Sequence, residues 1–499
     1  MTGHELPPVH TALYIEGKWS ESSSGRTFEV ENPATRTVLT SVADGDFADA
    51  GRAMDAAVAA QPAWASTSPR FRSEILRRAY ESIIDATDDL AALMTLEMGK
   101  PLAEARGEVA YGAEFFRWCA EEAVRIGGDT TITGDGKNRI LVSKEPVGPC
   151  VLVTPWNFPL AMGTRKIGPA IAAGCTMVFK PAQQTPLTSL ALTRILHDAG
   201  LPPGVLNVVT TSDAGSVVRP WLTGGRARKL SFTGSTAIGK VLLSQAAESV
   251  MRTSMELGGN APFIVCADAD IDRAVDGAMV AKLRNMGEAC TAANRFYVHS
   301  SVADEFARRL AERMTGLTVG DGMAADTDVG PLINSGGLDK VRRLVDDAIQ
   351  RGARVLCGGE QGGSPESTAG SESSESSAEA GYFYPPTVLV DVSDDAELMG
   401  TEIFGPVAAI TEFDDVDDAL ARANDTPWGL VGYLYTQDLD AALRLSDGME
   451  VGMVGLNTGL VSNPAAPFGG VKESGLGREG GRIGIDEFLE YKYRAVPVT

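Results

Sequence analysis

The sequence predicts an α/β protein built on two doubly wound, largely parallel sheets with a small β element beside them. Three observations predict it. Short apolar strands alternate with helical stretches from 151 to 247. A second alternation begins near 262, and a hairpin pattern at 130–146 has a possible partner in a strand-like stretch at the very end of the chain. Strands alternating with helices imply βαβ units and a parallel sheet, and such sheets bind ligands at the carboxyl ends of their strands.

In chain order, 45–125 reads as helix. Ala48 to Ala60 and Arg72 to Leu96 carry apolar residues at spacings of three and four. TTITGDGKNRILVSKEP, 130–146, reads as a β-hairpin whose GDG turn supplies positive φ. Strands are then expected at Val151–Val153, Thr176–Phe179, Val205–Val209 and Lys229–Phe232. Helices are expected at Leu160–Ala173, Thr188–Ala199 and Thr236–Ala247. Phe263–Cys266 opens the second alternation, and Val302, Phe306, Leu310, Met314 and Leu317 share one helical face that belongs to the core. Residues 360–380, EQGGSPESTAGSESSESSAEA, have no aromatic or basic side chain. Such a segment buries too little apolar surface to offset the entropy of ordering, so a disordered insert is expected. FLEYKYRAV near the end reads as a strand that needs a partner, either the hairpin or another subunit.

The totals narrow the function classes. A chain of 499 residues holds more than one domain and a large core. A net charge of -22 disfavours nucleic acid and anionic membranes as partners. The longest apolar run, Ile167 to Phe179, is too short to span a bilayer, and the first twenty residues lack a secretory pattern, so a cytoplasmic protein is expected. Six cysteines stand at 119, 150, 175, 266, 290 and 357 with no CxxC pair, and the four histidines are scattered. No metal site is expected, and a histidine triad is poorly supplied.

Several short motifs can carry chemistry. Gly234-Ser-Thr-Ala-Ile-Gly239-Lys240 fits the phosphate-loop pattern, but Val241 stands where that loop needs Ser or Thr for magnesium. The two glycines can present N–H groups to a dinucleotide's phosphates, or simply pack a helix on a sheet. Asn157, in PWNFP after a strand, can donate to a developing oxyanion or cap the next helix. Glu256, in ELGG, can activate water or be an ordinary loop acid. Cys290, in MGEACTAAN, can be a nucleophile or an inert thiol.

Taken together, PWNFP (155–159), Lys180-Pro181, FTGS (232–235), ELGG (256–259), GEAC (287–290), EIFGP (402–406) and PFGGVKESGLGREG (467–480) occur in an order and content that resemble the aldehyde dehydrogenase superfamily, over roughly 12–495. The resemblance implies a dinucleotide-binding domain from 1–127 and 147–257 and a catalytic domain at 258–479. It also implies an oligomerisation element from 128–146 and 480–499 that makes a homodimer or homotetramer. Cys290 would be the nucleophile, Asn157 and the Cys290 N–H would hold the oxyanion, and Glu256 would activate the hydrolytic water. Trp156, Asn157, Lys180, Gln183, Gly234, Ser235, Leu257, Glu402 and Phe404 would contact the cofactor. Many NAD-preferring relatives carry Glu at position 183; Gln183 removes that repulsion of a 2′-phosphate, so NADP is expected over NAD.

TRKIGPA (164–170), RNMGEAC (284–290) and GLVS (459–462) further resemble succinate-semialdehyde dehydrogenases. That subgroup implies an aldehyde with a distal carboxylate, held by Arg165, Arg284 and Ser462; arginine forks suit carboxylates, although either arginine can instead pair with a structural acid. Ala292 stands where many relatives place a second cysteine, so a redox lock at the nucleophile is not expected. Glutarate semialdehyde is the rival substrate. A binding protein that retains the fold is the rival from another class.

Overall fold

The computed structural model describes residues 5–359 and 381–498. The expected insert at 360–380 lies outside them.

The first of two large sheets has eight strands in the order Lys18–Ser20, Leu13–Ile15, Leu206–Val208, Met177–Lys180, Cys150–Val153, Lys229–Thr233, Arg252–Glu256 and Gly475–Leu476. Its five central strands pair in parallel. Cys150–Val153, Met177–Lys180 and Lys229–Thr233 are buried at every position, which fits apolar runs covered by helices on both faces. From Cys150–Val153 the chain first winds outward through Met177–Lys180 and Leu206–Val208, then returns to its other side at Lys229–Thr233. That reversal opens a crevice beyond the carboxyl ends of these strands. Gly475–Leu476, from within the stretch expected to be catalytic, closes one edge of this sheet antiparallel to Arg252–Glu256.

The second sheet has seven strands in the order Arg354–Cys357, Thr387–Val390, Val407–Phe413, Ala293–His299, Ala261–Val265, Val431–Tyr435 and Met453–Leu456. All its pairings are parallel except the edge strand Arg354–Cys357. Phe306, Leu310 and Met314 of the helix Ser300–Thr315 are buried in its core, as their spacing predicted. Residues 257–260 cross from the carboxyl end of Arg252–Glu256 to the amino end of Ala261–Val265. The ELGG motif therefore links the ligand-binding end of the first sheet to the amino end of a central strand of the second.

The terminal strand Leu489–Pro497 pairs antiparallel along the whole of Asn138–Pro146, which pairs in turn with Asp129–Ile132. Of the two partners the sequence left open, the hairpin takes this strand. After Leu489 the strand is exposed, with Tyr491 and Tyr493 both 58% accessible.

Two expectations about helices change. The stretch 72–96 is two helices, Pro69–Asp85 and Thr87–Met98, broken at Ala86. A helix at Ala214–Thr223 was not expected; Pro220 inside it removes an internal hydrogen bond and hides its pattern, while Asp213 caps its start by accepting from Ser216 N. Among the described residues, no helix is long and apolar enough to cross a membrane, and no group of three His, Cys, Asp or Glu side chains is placed to hold a metal.

Candidate active site

The PWNFP turn follows Cys150–Val153 directly, so Asn157 stands at the crevice. Its Nδ2 donates to the carbonyl of Glu288 at 3.0 Å, two residues before Cys290. Its backbone carbonyl accepts from Lys100 Nζ at 2.8 Å and Asn285 Nδ2 at 3.1 Å. Asn157 does not cap the following helix: Ala161–Ala173 has Leu160 at its cap position with no side-chain cap. The geometry thus favours the donor reading, with one amide hydrogen of Asn157 tied to the cysteine loop.

That loop is strained into shape. Asn285, Met286 and Gly287 have φ of 57°, 55° and 77°. Left-handed non-glycine residues cost about 1–3 kcal/mol each and persist where the surroundings over-determine them. Here Asn285 donates through Nδ2 to Asn157 O and Glu288 O, and its N–H donates to Glu104 Oε2 at 2.8 Å. Gly287 is obligatory, since a Cβ there would lie 2.2 Å from Gly405 O. Gly259 is likewise required, with its missing Cβ 2.7 Å from Cys290 O. The glycines of ELGG therefore let protein backbone approach the nucleophile loop.

Cys290 is partly accessible. Burial pushes its thiol up to about 12; Arg165 and Arg284 pull it down, and Glu402 and Glu256 push it further up. The resting thiol is protonated at neutral pH. Iodoacetamide should alkylate Cys290 at a rate that rises about tenfold per pH unit from 7 to 10, because only the thiolate attacks. A rate that levels off near pH 8 would contradict this environment.

Glu256 ends its strand fully buried, and neither carboxylate oxygen has a hydrogen-bond partner. Burial raises its carboxyl well above the usual range, and Glu479 raises it further, against Arg165, Lys166 and Arg478. It does not line the cavity that holds Cys290. Its Oε1 faces Gly469, where a Cβ would come within 2.8 Å. Beside it, Glu479 accepts from Arg165 Nε at 2.7 Å and pairs with Lys166, and these cations hold its carboxyl below the usual range. Lys166 and Glu479 were not singled out from the sequence. The available signal was a pair of adjacent cations in a helix that is otherwise apolar and small, since buried charges require partners.

A cleft of about 1110 Å³ lies over the carboxyl ends of the first sheet. A cavity of about 330 Å³ adjoins it and shares the wall from Pro155, Trp156, Thr233, Gly234 and Ser235. All nine residues that the resemblance implies for the cofactor line one of the two, and Asn157 and Cys290 line the second together. Trp156 and Phe404 meet edge to face at 5.5 Å.

The residues present fit a dinucleotide. The buried Lys180 ammonium makes no ion pair among the described residues and is pulled down to about 8 by burial, so it needs an acceptor. Glu402 accepts from Gly259 N–H at 3.1 Å through Oε1 and is pushed up to about 7 by burial, which leaves Oε2 for a hydroxyl. The N–H groups of the two glycines of 234–239 are engaged within the protein: Gly234 N–H donates to Glu256 O and Gly239 N–H to Ser235 O, and Gly239 sits against Leu257 with no room for a Cβ. The glycines pack the helix Thr236–Ala247 on the sheet, while Ser235 caps that helix beside the cleft. Arg219, exposed on the wall that carries Lys180 and Gln183, makes no ion pair among the described residues. Sequence reasoning missed it because its helix was missed.

The three residues implied for a carboxylate are placed differently. Arg284 Nη1 donates to Ser462 Oγ at 3.4 Å, and its guanidinium lies over the rings of Phe158 at 4.9 Å and Tyr111 at 5.5 Å. No acid pairs with it among the described residues. Arg165 is buried, presents Nε and Nη2 to Glu479, and stacks over Phe468 at 4.1 Å. Its Nε edge is thus committed to the structural acid that the sequence left as an alternative.

Residues 19–494 match the Aldehyde dehydrogenase family. The chain is 55% identical to a succinate-semialdehyde dehydrogenase of Paenarthrobacter nicotinovorans, over 91% of this chain and 98% of that protein. It is 48% identical to a glutarate-semialdehyde dehydrogenase of Pseudomonas putida, over 97% of each chain. The crystal structure of an Escherichia coli NADP dependent enzyme superposes with a TM-score of 0.93 at 46% identity, over 98% of each chain.

Proposed function

The chain belongs to the aldehyde dehydrogenase family, and from that premise we propose that it oxidises succinate semialdehyde to succinate with NADP+ through a covalent intermediate on Cys290. The observation that carries the substrate reading is Arg284, unpaired by any acid among the described residues, hydrogen-bonded to Ser462 and close enough to act electrostatically on the Cys290 thiol. A carboxylate held there places an aldehyde a few bonds away near the sulfur.

The Cys290 thiol gives up its proton to solvent, and the thiolate attacks the aldehyde carbon as the C=O pair moves onto oxygen, forming a thiohemiacetal. The developing oxyanion is held by Asn157 Nδ2 and the Cys290 N–H. When bound, NAD(P)+ supplies a hydride acceptor. Collapse of the thiohemiacetal with loss of hydride leaves a thioester on Cys290. Glu256 takes a proton from water, the water oxygen attacks the thioester carbon, and succinate leaves as the thiol re-forms. The first sheet, from 1–127 and 147–257, would hold the dinucleotide, with Lys180 and Glu402 on ribose hydroxyls; 258–479 would supply the sulfur.

Replacing Arg284 by Ala tests the substrate. Loss of a charge-assisted contact costs about 1.5–3 kcal/mol, so kcat/KM for succinate semialdehyde should fall roughly 10- to 100-fold. The same variant should lose much less on butanal, which lacks the carboxylate and feels only the weaker pull of Arg284 on the Cys290 thiol. An equal loss on both aldehydes would refute the carboxylate clamp. The resemblance to a glutarate-semialdehyde dehydrogenase favours a second substrate with one more methylene. One methylene discriminates by only about 1–3 kcal/mol, so comparing kcat/KM for the two semialdehydes decides the order.

NADP is favoured because Lys180 and Arg219 put cations on a wall where Gln183 is neutral. Gln183→Glu should lower kcat/KM for NADP+ by at least about tenfold and spare NAD+, since like charges brought together cost several kcal/mol. Unchanged cofactor preference would count against it. All six cysteines are free thiols, which fits a cytoplasmic setting. The exposed three-stranded sheet of Leu489–Pro497, Asn138–Pro146 and Asp129–Ile132 is the proposed contact of a homodimer or homotetramer.

A further inference from the structure

We infer that the buried ion pair Lys100–Glu108 is a positioning device that aims the Asn157 amide at the oxyanion. The inference rests on the reading of Asn157 as oxyanion donor. Lys100 follows the left-handed Gly99 that ends the helix Thr87–Met98, and Glu108 lies in the helix Leu102–Ala123. Both side chains are 1% exposed, and neither lines the cavity of Cys290. The two groups act from behind the site.

Every further bond they make ends on one short loop. Lys100 Nζ donates to Asn157 O at 2.8 Å and lies 4.3 Å from the ring centre of Phe158. Glu108 pairs with Lys100 through Oε2. Its Oε1 accepts from Leu160 N at 3.0 Å and Ala161 N at 3.1 Å. Glu108 thereby caps the helix Ala161–Ala173, which has no cap from its own preceding residue. One ammonium and one carboxylate thus fix the backbone at the centre of the PWNFP turn and at the first residues after it. Asn285 Nδ2 clamps the same Asn157 carbonyl from the cysteine side, and Glu104 fixes Asn285 through its N–H.

A buried ion pair is weak evidence for stability, since apolar packing of equal volume does as well or better. What apolar packing does not give is direction. The peptide at 157 has three hydrogen bonds converging on it and its side chain, and the side chain's Nδ2 already uses one hydrogen on Glu288 O. The other hydrogen points wherever that peptide sets it. A misplacement of about 1 Å in such a group costs roughly a hundredfold in rate.

The test is a double-mutant cycle on the full-length enzyme. Lys100→Met should lower kcat about 10- to 100-fold. NADP+ affinity by calorimetry and the iodoacetamide alkylation rate of Cys290 should stay within about twofold, because neither uses the oxyanion contact. In an Asn157→Ala background, Lys100→Met should cost less than about threefold in kcat, because the amide it positions is gone. The double variant Lys100→Met/Glu108→Gln leaves neither charge stranded and should give the same pattern if the single variant does not fold. A full loss of kcat in the Asn157→Ala background would overturn the inference, as would parallel losses in alkylation and cofactor affinity. If Asn157→Ala itself kept its activity, the reading of Asn157 would fail instead, a separate outcome.

Discussion

Cys290→Ala should abolish aldehyde oxidation, lowering kcat by at least about 10⁴-fold, while NADP+ binding stays unchanged. Removing the group that forms the covalent intermediate leaves only the binding and the oxyanion contact, and neither makes the bond. Six free cysteines make the control informative. Cys119, Cys150, Cys175 and Cys266 are buried, and Cys357 lies at the far edge of the second sheet. None of them lines the cleft or the adjoining cavity. No other thiol among the described residues is placed to replace Cys290. The assay is the absorbance of reduced cofactor, with calorimetry for binding. Activity within tenfold of the parent would remove the covalent route.

Glu256→Gln should separate the two halves of the reaction. Its carboxyl is buried, makes no hydrogen bond, and is raised well above the usual range mainly by burial. The amide keeps the volume but accepts no proton. Formation of the thioester should survive and its hydrolysis should slow by about 10²- to 10⁴-fold, the contribution of a placed general base. Mixing enzyme, aldehyde and NADP+ should give a burst of about one reduced cofactor per site, followed by very slow turnover. The pH sign is fixed by the raised carboxyl. The base form becomes populated as pH rises, so hydrolysis by the parent should speed up from pH 6 through the neutral range. The Gln variant should lose that rise.

Much of this candidate site was legible because its motifs stand in an order that resembles one family, although Asn157, Glu256 and Cys290 taken singly each kept a second reading. Pro155 and Pro159 mark a rigid turn, Gly258 and Gly259 mark close approaches, and Cys290 is set among small side chains. The parallel sheets were legible because their strands are short apolar runs between helical stretches. What could not be read were pairings between distant segments. Lys166 meets Glu479 across 313 positions, and Lys100 meets Asn157 across 57. No spacing rule connects such residues; only the packed fold does. Arg165 shows the same limit. Its type suits a carboxylate ligand, and the chain supplies Glu479 for one edge of it. Arg219 was hidden for a local reason, since Pro220 masks the helix that carries it into the cleft.

The most direct test of the covalent account is the mass of the Glu256→Gln enzyme quenched in acid just after mixing with succinate semialdehyde and NADP+. The account predicts one added succinyl group per chain, on the peptide that contains Cys290, formed in step with the burst of reduced cofactor. Reduced cofactor formed with no adduct, or with the adduct on another residue, would contradict it.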